Sequence, residues 1–376
     1  MKIAIICSNL YNMAKETANG TSIFNYSLIT NLAKRVSPEK LEVTVFASGD
    51  SRLPVPVESV WQEPLITDER LIASGWYFPY EQALIAKAFS MQDKFDVFHV
   101  NIGDGDIALP FMPFVQKPIL ITIHNVRREV RLGRFFAHYR NSPNVHYISA
   151  SNAQRRLLPD LDYIATIYHG VDSGLFGFNE HGGSSLMWAA RVIPEKGPDI
   201  VVDVAKQTGH SARLFGIPRK EHRAWLKKNV LDKISDNGAI TFETGRDRSQ
   251  LIEYYQTSRA LLLPISAEES FGLVLIESMS CGTPVISYAR GSIPEIVEDG
   301  ETGFIVNPSD TDIRGNWIIK KTGVEGLHEA VERIYAMPEV EYMRMRRACR
   351  ERVLRHFTIK RMVDEYLRVY KKVTQP

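Results

Sequence analysis

The sequence predicts an α/β protein of two doubly wound domains, each built on a parallel sheet. Three observations carry this. The 376 residues exceed what one core usually holds; two domains of roughly 150–200 residues are the expectation at that length. Apolar runs suited to strands buried on both faces alternate with amphipathic stretches in both halves of the chain. Between the halves lies "IATIYHGVDSGLFGFNEHGGSS", where Gly170, Gly174, Gly177, Gly182 and Gly183 crowd a polar stretch, as in a linker.

The elements follow in order. "KIAIICS" reads as the first strand and "NLYNMAKETANGT" as a polar loop. Phe24, Leu28, Leu32 and Val36 then recur every four residues, with Ile29 and Ala33 beside them, which predicts a helix. "LEVTVFAS", "FDVFHVN", "PILITIHN" and "VHYISAS" are the next strands. The second series runs "SLMWAAR", a helix from about Pro198, "SARLFGI", a helix from about Lys220, "AITFETG" and "ALLLPIS". Helical period resumes at Phe271 or Gly272, followed by the strands "PVISYA" and "GFIVNP". "MVDEYLRVYKKV" closes the chain as a helix. The domains are drawn at 1–170 and 171–355, with 356–376 expected to pack back toward the first.

Composition excludes several classes. An apolar fraction of 44% and a charged fraction of 24% are those of an ordinary soluble globular protein. The net charge of +2 gives no sign of a nucleic-acid partner. Cys7, Cys281 and Cys349 are far apart and odd in number, so neither a disulfide framework nor a zinc site is expected, and a reducing, cytoplasmic compartment is. "MKIAIICSN" is too short for a signal-peptide core, and no apolar run reaches the ~18 residues of a membrane span. Residues 341–376 carry 11 Lys+Arg against 4 Asp+Glu. That cluster is expected to be a solvated helix face, with peripheral attachment to the inner face of a membrane as an alternative.

The stretch "SAEESFGLVLIESMSCGTPVI" carries the chemistry. Glu269 falls in the loop after a strand and Glu277 about a turn and a half into the following helix. Ligands of open α/β sheets bind beyond the carboxyl ends of the strands. Gly272 allows close backbone approach, and free N–H groups at the helix start suit a phosphate. A carboxylate accepts both hydroxyls of a vicinal diol, so two carboxylates around an anion site suit a ligand with hydroxyls on both sides of a diphosphate. That ligand is a nucleotide sugar. The plain structural alternative has Glu269 complementing the helix dipole and Glu277 in solvent.

"EESFGLVLIESMSCGTPVISYARGSIPEIVEDGETGFIV" resembles the signature of glycosyltransferase family 4, retaining enzymes of the GT-B fold, two Rossmann-like domains facing a central cleft. The resemblance implies that Glu269 contacts the donor sugar, Glu277 the ribose, and the backbone of Phe271, Gly272, Leu273 and Val274 the diphosphate and sugar. "AARVIPEKGPDIVV" resembles the family's segment with two diphosphate-binding cations, matched by Arg191 and Lys196. "YHGVD" resembles its hinge, with His169 where many members carry Asn. "TGRDRSQLIEYYQ" resembles the loop against the base, which makes Gly245 and Arg246 donor-site candidates. In the first domain Gly20 stands where the family shows adjacent glycines. His124 ends a strand where the family's histidine approaches donor sugar and acceptor.

The resemblance implies hexosyl transfer from a nucleoside-diphosphate sugar to an acceptor hydroxyl with retention, with His124, Arg191, Lys196 and Glu269 as the catalytic set. No cofactor and no metal are expected. Asp104-Gly105-Asp106 copies the metal-binding Asp-x-Asp of another glycosyltransferase class but reads better as a turn. Arg127, Arg128 and Arg131, with Arg134, make an anionic or lipid-linked acceptor a candidate partner, against surface pairing with Glu129. A nucleotide-sugar epimerase, a phosphorylase and a non-catalytic sugar-nucleotide-binding subunit are the competing readings.

Overall fold

The computed structural model describes the chain except residues 18, 36–40, 126–129, 141, 235–237 and 376, and leaves the side chains of 130–132 undescribed. The chain divides into two compact units, Met1–Gly170 together with Ile359–Pro376, and Val171–Thr358.

The first unit carries strands β1 (Lys2–Ile6), β2 (Glu42–Phe46), β3 (Val57–Glu58), β4 (Val97–Val100), β5 (Ile119–Ile123), β6 (Val145–Ser149) and β7 (Tyr163–Thr166). They form one parallel sheet in the order β3-β2-β1-β4-β5-β6-β7. Alternate side chains of a strand leave on opposite faces, so β1 feeds two cores. Ile3 and Ile5 pack with Phe24 and Leu28 of helix Gly20–Ala33 and with Met362 and Tyr366 of the closing helix Ile359–Thr374. Ala4 and Ile6 pack with Leu84, Ile85 and Phe89 of helix Tyr77–Ser90. Covering both faces is what lets the central strands read as unbroken apolar runs.

The second unit repeats the plan with β8 (Ser185–Ala189), β9 (Ala212–Phe215), β10 (Ile240–Glu243), β11 (Ser258–Leu263), β12 (Val285–Tyr288) and β13 (Gly303–Val306). Its parallel order is β10-β9-β8-β11-β12-β13. In both sheets the direction of winding reverses beside the first strand, between β1 and β4 and between β8 and β11. Those reversals open the crevices where such sheets hold ligands.

Several expectations are corrected. β3 and β7 are additional strands that the apolar pattern does not predict, and part of the expected linker, "IAT", lies in β7. Both are edge strands with half-buried residues, so they lack the apolar run that marks a central strand. The helix expected from about Lys220 is present: it opens with a 3₁₀ turn, Lys220–His222, and continues as helix Arg223–Asn229. Val36 lies outside the described residues.

The basic C-terminal stretch is not simply a solvated face. The Arg346 side chain is fully buried and donates to the carbonyls of Asn179, Gln256, Ser258 and Cys281. Arg350 holds the carbonyls of Ser173, Phe176 and Ser280, and Arg352 those of Glu295 and Ile296. No described helix is long and apolar enough to cross a membrane.

Candidate active site

The site of the second unit forms at the carboxyl ends of β8 and β11, the strands flanking its reversal point. β8 leads through Arg191 into the 3₁₀ turn Pro194–Lys196. Gly197 ends that turn at φ 66°, and a Cβ there would press to 2.6 Å from the Pro264 carbonyl, so this backbone approach needs glycine. The indole of Trp188 donates to the Lys196 carbonyl (2.9 Å), and the Ser266 N–H to that of Glu195 (2.9 Å). Held this way, the Lys196 ammonium makes an ion pair with Glu269, both side chains largely buried. The pairing is with Glu269, not with the sequence neighbour Glu195. Arg191 is exposed and its side chain has no hydrogen bond or ion pair among the described residues.

Glu269 sits on a loop ending in Gly272 at φ 89°, which opens helix Leu273–Ser280. The N–H of Leu275 bonds back to the Gly272 carbonyl (3.1 Å); those of Leu273 and Val274 have no hydrogen bond among the described residues. At the other end, Arg350 takes the Ser280 carbonyl and Arg346 that of Cys281. Cations at its carboxyl end and free N–H groups at its amino end give this helix a polarity suited to an anion beyond Gly272.

Glu277 stands four residues into the helix and is 3% exposed. It is not in solvent. Arg248 Nε donates to Oε1 (2.6 Å) and the Tyr255 hydroxyl to Oε2 (3.2 Å). The Arg248 guanidinium lies 4.9 Å over the Phe176 ring. Sequence reasoning missed both partners. Arg248 shares its loop with the candidate Arg246, and spacing alone does not separate the two.

A second missed group stabilises the Glu269 loop. Glu268 pairs with Arg314 (2.7 Å) and Arg290 (3.6 Å) and accepts the Gly291 N–H (2.6 Å). Asp312 bridges the same arginines at 2.8 Å each. Ser292 donates its N–H to the Glu269 carbonyl (3.0 Å) and its hydroxyl to that of Phe271 (2.8 Å). Two adjacent glutamates are thus separated by their partners, Glu268 to arginines and Glu269 to Lys196.

In the first unit, His124 is buried at the end of β5. Its Nε2 meets the Asn101 Oδ1 (3.1 Å), and Asn101 Nδ2 lies 3.4 Å from His99 Nδ1. His99 continues to Tyr370 (2.6 Å) and Thr122 (2.7 Å). Burial pushes the His124 imidazole down to about 3, and burial with the nearby His124 does the same for His99. Both are therefore neutral at physiological pH, and with Asn101 turned this way His124 carries its proton on Nε2. Burial, then His124 and Arg361, push His169 down as well.

The remaining candidates are scattered or simpler. Gly20 is the first residue of its helix, capped by Asn19, and no atom lies within 4 Å of where its Cβ would be. Gly245 has φ 78° in open space. Arg246 is tied to Glu243 (2.9 and 2.7 Å) and lies 5.5 Å from the Tyr254 ring centroid. Arg127, Arg128 and the side chain of Arg131 lie outside the described residues; Arg134 is exposed on helix Val130–His138. Asp104-Gly105-Asp106 is a turn with Gly105 at φ 74°, and Asp104 is buried and accepts the Asn125 N–H (2.8 Å). Among the described residues no group of three or more His, Cys, Asp or Glu side chains is placed to hold a metal.

Residues 181–320 match the family model described as glycosyl transferases group 1, the segment that holds Arg191, Lys196, Arg248, Glu269 and Glu277. An uncharacterized glycosyltransferase of Methanocaldococcus jannaschii is 27% identical over 60% of this chain and 66% of its own length. The D-inositol 3-phosphate glycosyltransferase of Mycolicibacterium smegmatis is 34% identical over 35% of this chain and 30% of its own. The matches thus span less than two thirds of the length of these curated relatives. Among solved structures, sucrose-phosphate synthase from Thermosynechococcus elongatus superposes with a TM-score of 0.77 at 19% identity, covering 99% of this chain and 98% of that one. Anabaena HepE in complex with UDP-glucose superposes with 0.72 at 15% identity, covering 99% and 100%. These likenesses establish the GT-B fold.

Proposed function

We propose that this chain is a retaining glycosyltransferase that moves a hexosyl group from a nucleoside-diphosphate sugar to an acceptor hydroxyl without a metal ion. One observation carries the reading. At the reversal point of the second sheet, a lysine-paired glutamate precedes a helix whose amino end is free, and a second glutamate is held on the same helix. In this reading Arg191, Lys196 and the N–H groups of Leu273 and Val274 hold the diphosphate. Glu269 takes sugar hydroxyls and Glu277 the ribose. The match of 181–320 to glycosyl transferases group 1 supports it, as does the HepE complex with UDP-glucose.

The acceptor hydroxyl attacks the anomeric carbon from the side the diphosphate leaves. The carbon–oxygen bond to phosphate breaks, the acceptor proton passes to the departing phosphate oxygen, and configuration is kept. Catalysis then rests on positioning and on charge placed where the diphosphate becomes more anionic. His124, neutral and held by Asn101, offers a hydrogen-bonding group to the acceptor.

For the acceptor we favour an anionic or lipid-linked molecule met by the arginines of 127–134. The name of the mycolicibacterial relative, which pairs glycosyl transfer with D-inositol 3-phosphate, supports a phosphorylated one. Function at the inner face of a membrane is compatible with this acceptor. The test is a thermal-shift screen of UDP-, GDP-, ADP- and dTDP-sugars, with product analysis using the best donor. A stabilising donor and a retained anomeric configuration are expected. Absence of stabilisation by every donor overturns the reading.

A further inference from the structure

We infer that Arg248 and Tyr255 are positioning residues for ribose recognition: each occupies one oxygen of the Glu277 carboxylate and leaves the remaining lone pairs of both oxygens to a vicinal diol. The inference rests on the nucleoside-diphosphate reading above. An ionised carboxylate offers about four lone-pair positions. Arg248 takes one on Oε1 (2.6 Å) and Tyr255 one on Oε2 (3.2 Å). One position per oxygen remains, which matches a diol with one hydroxyl per oxygen.

Both partners are themselves fixed. The Arg248 guanidinium rests over the Phe176 ring at 4.9 Å, a cation–π contact that supports its position beside Glu277. Tyr255 is fully buried, and burial with the Glu277 charge beside it pushes its hydroxyl well above the ordinary range, so it remains a donor. A carboxylate that is 3% exposed needs such hydrogen-bond partners when no ligand is bound. Removing Arg248 therefore weakens the acceptor that the ribose uses, through Glu277 and without touching the ligand.

The experiment is calorimetric titration of the full chain with UDP, GDP and ADP and with their 2′,3′-dideoxy counterparts. Wild type, Arg248→Gln, Arg248→Lys, Tyr255→Phe and Glu277→Gln are compared at matched melting temperature. The expected result is a wild-type preference for the ribose form of its best base of about tenfold or more. Arg248→Gln should remove most of that preference while leaving the dideoxy affinity within about twofold, and Arg248→Lys should restore most of it. Should Arg248→Gln fold poorly, Tyr255→Phe, which deletes one oxygen, should reduce the same preference by a smaller factor. Equal weakening of both ligand forms, tighter binding on removal of Arg248, or an unchanged preference overturns the inference while Glu277→Gln still abolishes ribose preference. If Glu277→Gln leaves that preference intact, or no nucleoside diphosphate binds wild type, the nucleoside reading fails and the inference falls with it.

Discussion

The two units share a topology and differ in what they place at the carboxyl ends of their strands. The second unit concentrates charge there, mostly in partnership: Lys196 with Glu269, Arg248 with Glu277, and Glu268 with Arg290 and Arg314, beside an exposed Arg191. The first unit places neutral polar groups there, in a buried chain from Tyr370 through His99 and Asn101 to His124. The contrast shows one topology carrying two kinds of polar group at its strand ends. Paired charges suit a ligand with its own fixed charge and diols, because a ligand can share a partner without leaving a bare ion behind. A neutral chain suits hydroxyls, whose donors and acceptors must be matched without net charge.

The largest expected effect tests the charged unit. Lys196→Ala removes a cation from the proposed diphosphate site and leaves Glu269 without its partner. Transfer should fall about a hundredfold or more, and Arg191→Ala, which breaks no internal pair, should slow transfer with an unchanged melting temperature. Turnover near the wild-type rate in both variants would remove the site from this unit.

The next effect separates the units by pH. The buried histidines among the described residues, His99, His124 and His169, all belong to the first unit. Their folded-state values lie below the ordinary 6.5, at about 3 for His99 and His124, so the unfolded chain binds protons that the native unit refuses. Stability is fully present above pH 6.5 and is lost as pH falls toward 3. Glu81 opposes this: burial pushes its carboxyl up to about 7 from 4.5, so the native unit gains stability as pH falls from 7 to 4.5. Three groups against one leave a net loss between pH 6.5 and 4.5. Hydrogen exchange, corrected for intrinsic rate, should show protection falling from pH 7 to 5 in Met1–Gly170 and much less in Val171–Thr358. Equal loss in the two units would refute the contrast.

The same contrast explains what the sequence made legible. Glu269 and Glu277 stood out because a local rule, strand then glycine then helix, places them. Lys196 followed from the resemblance of "AARVIPEKGPDIVV" to a family segment. Arg248 did not, because its partner lies 29 residues away and a loop arginine looks like any surface charge. Arg346 and Arg350 resemble surface charges for the same reason, yet they cap carbonyls as far as 167 and 177 residues away in sequence. Central strands were found through their apolar runs; β3 and β7 escaped because an edge strand is only half buried. The chain joining Tyr370 to His99 spans 271 residues, and no periodicity encodes it.

A smaller effect divides the two glutamates. Glu277→Gln should weaken binding of a free nucleoside diphosphate about tenfold, since the ribose is present in it. Glu269→Gln should weaken the intact sugar donor by a similar factor and the free diphosphate much less. Titration of both ligands against both variants decides this, and equal losses throughout would merge the two roles.

The smallest effect falls in the first unit, at the turn that imitates a metal site. Asp104 already accepts the backbone N–H of Asn125, the residue after His124, so its carboxylate fixes the end of β5. Asp106 is half-buried at the start of the 3₁₀ helix Asp106–Phe114, where a carboxylate complements the amino end. Neither role requires a cation, and the proposed diphosphate site draws its positive charge from Arg191 and Lys196. Asp106→Asn should therefore leave donor affinity unchanged within about twofold, because a surface carboxylate at a helix start contributes about 0.3–1 kcal/mol to that helix alone. Transfer should also survive chelation by EDTA. If EDTA abolishes transfer, Mg²⁺ or Mn²⁺ restores it and Asp106→Asn reproduces the loss, then the neutral character assigned to the first unit is wrong. Its carboxylates would belong to the chemistry after all.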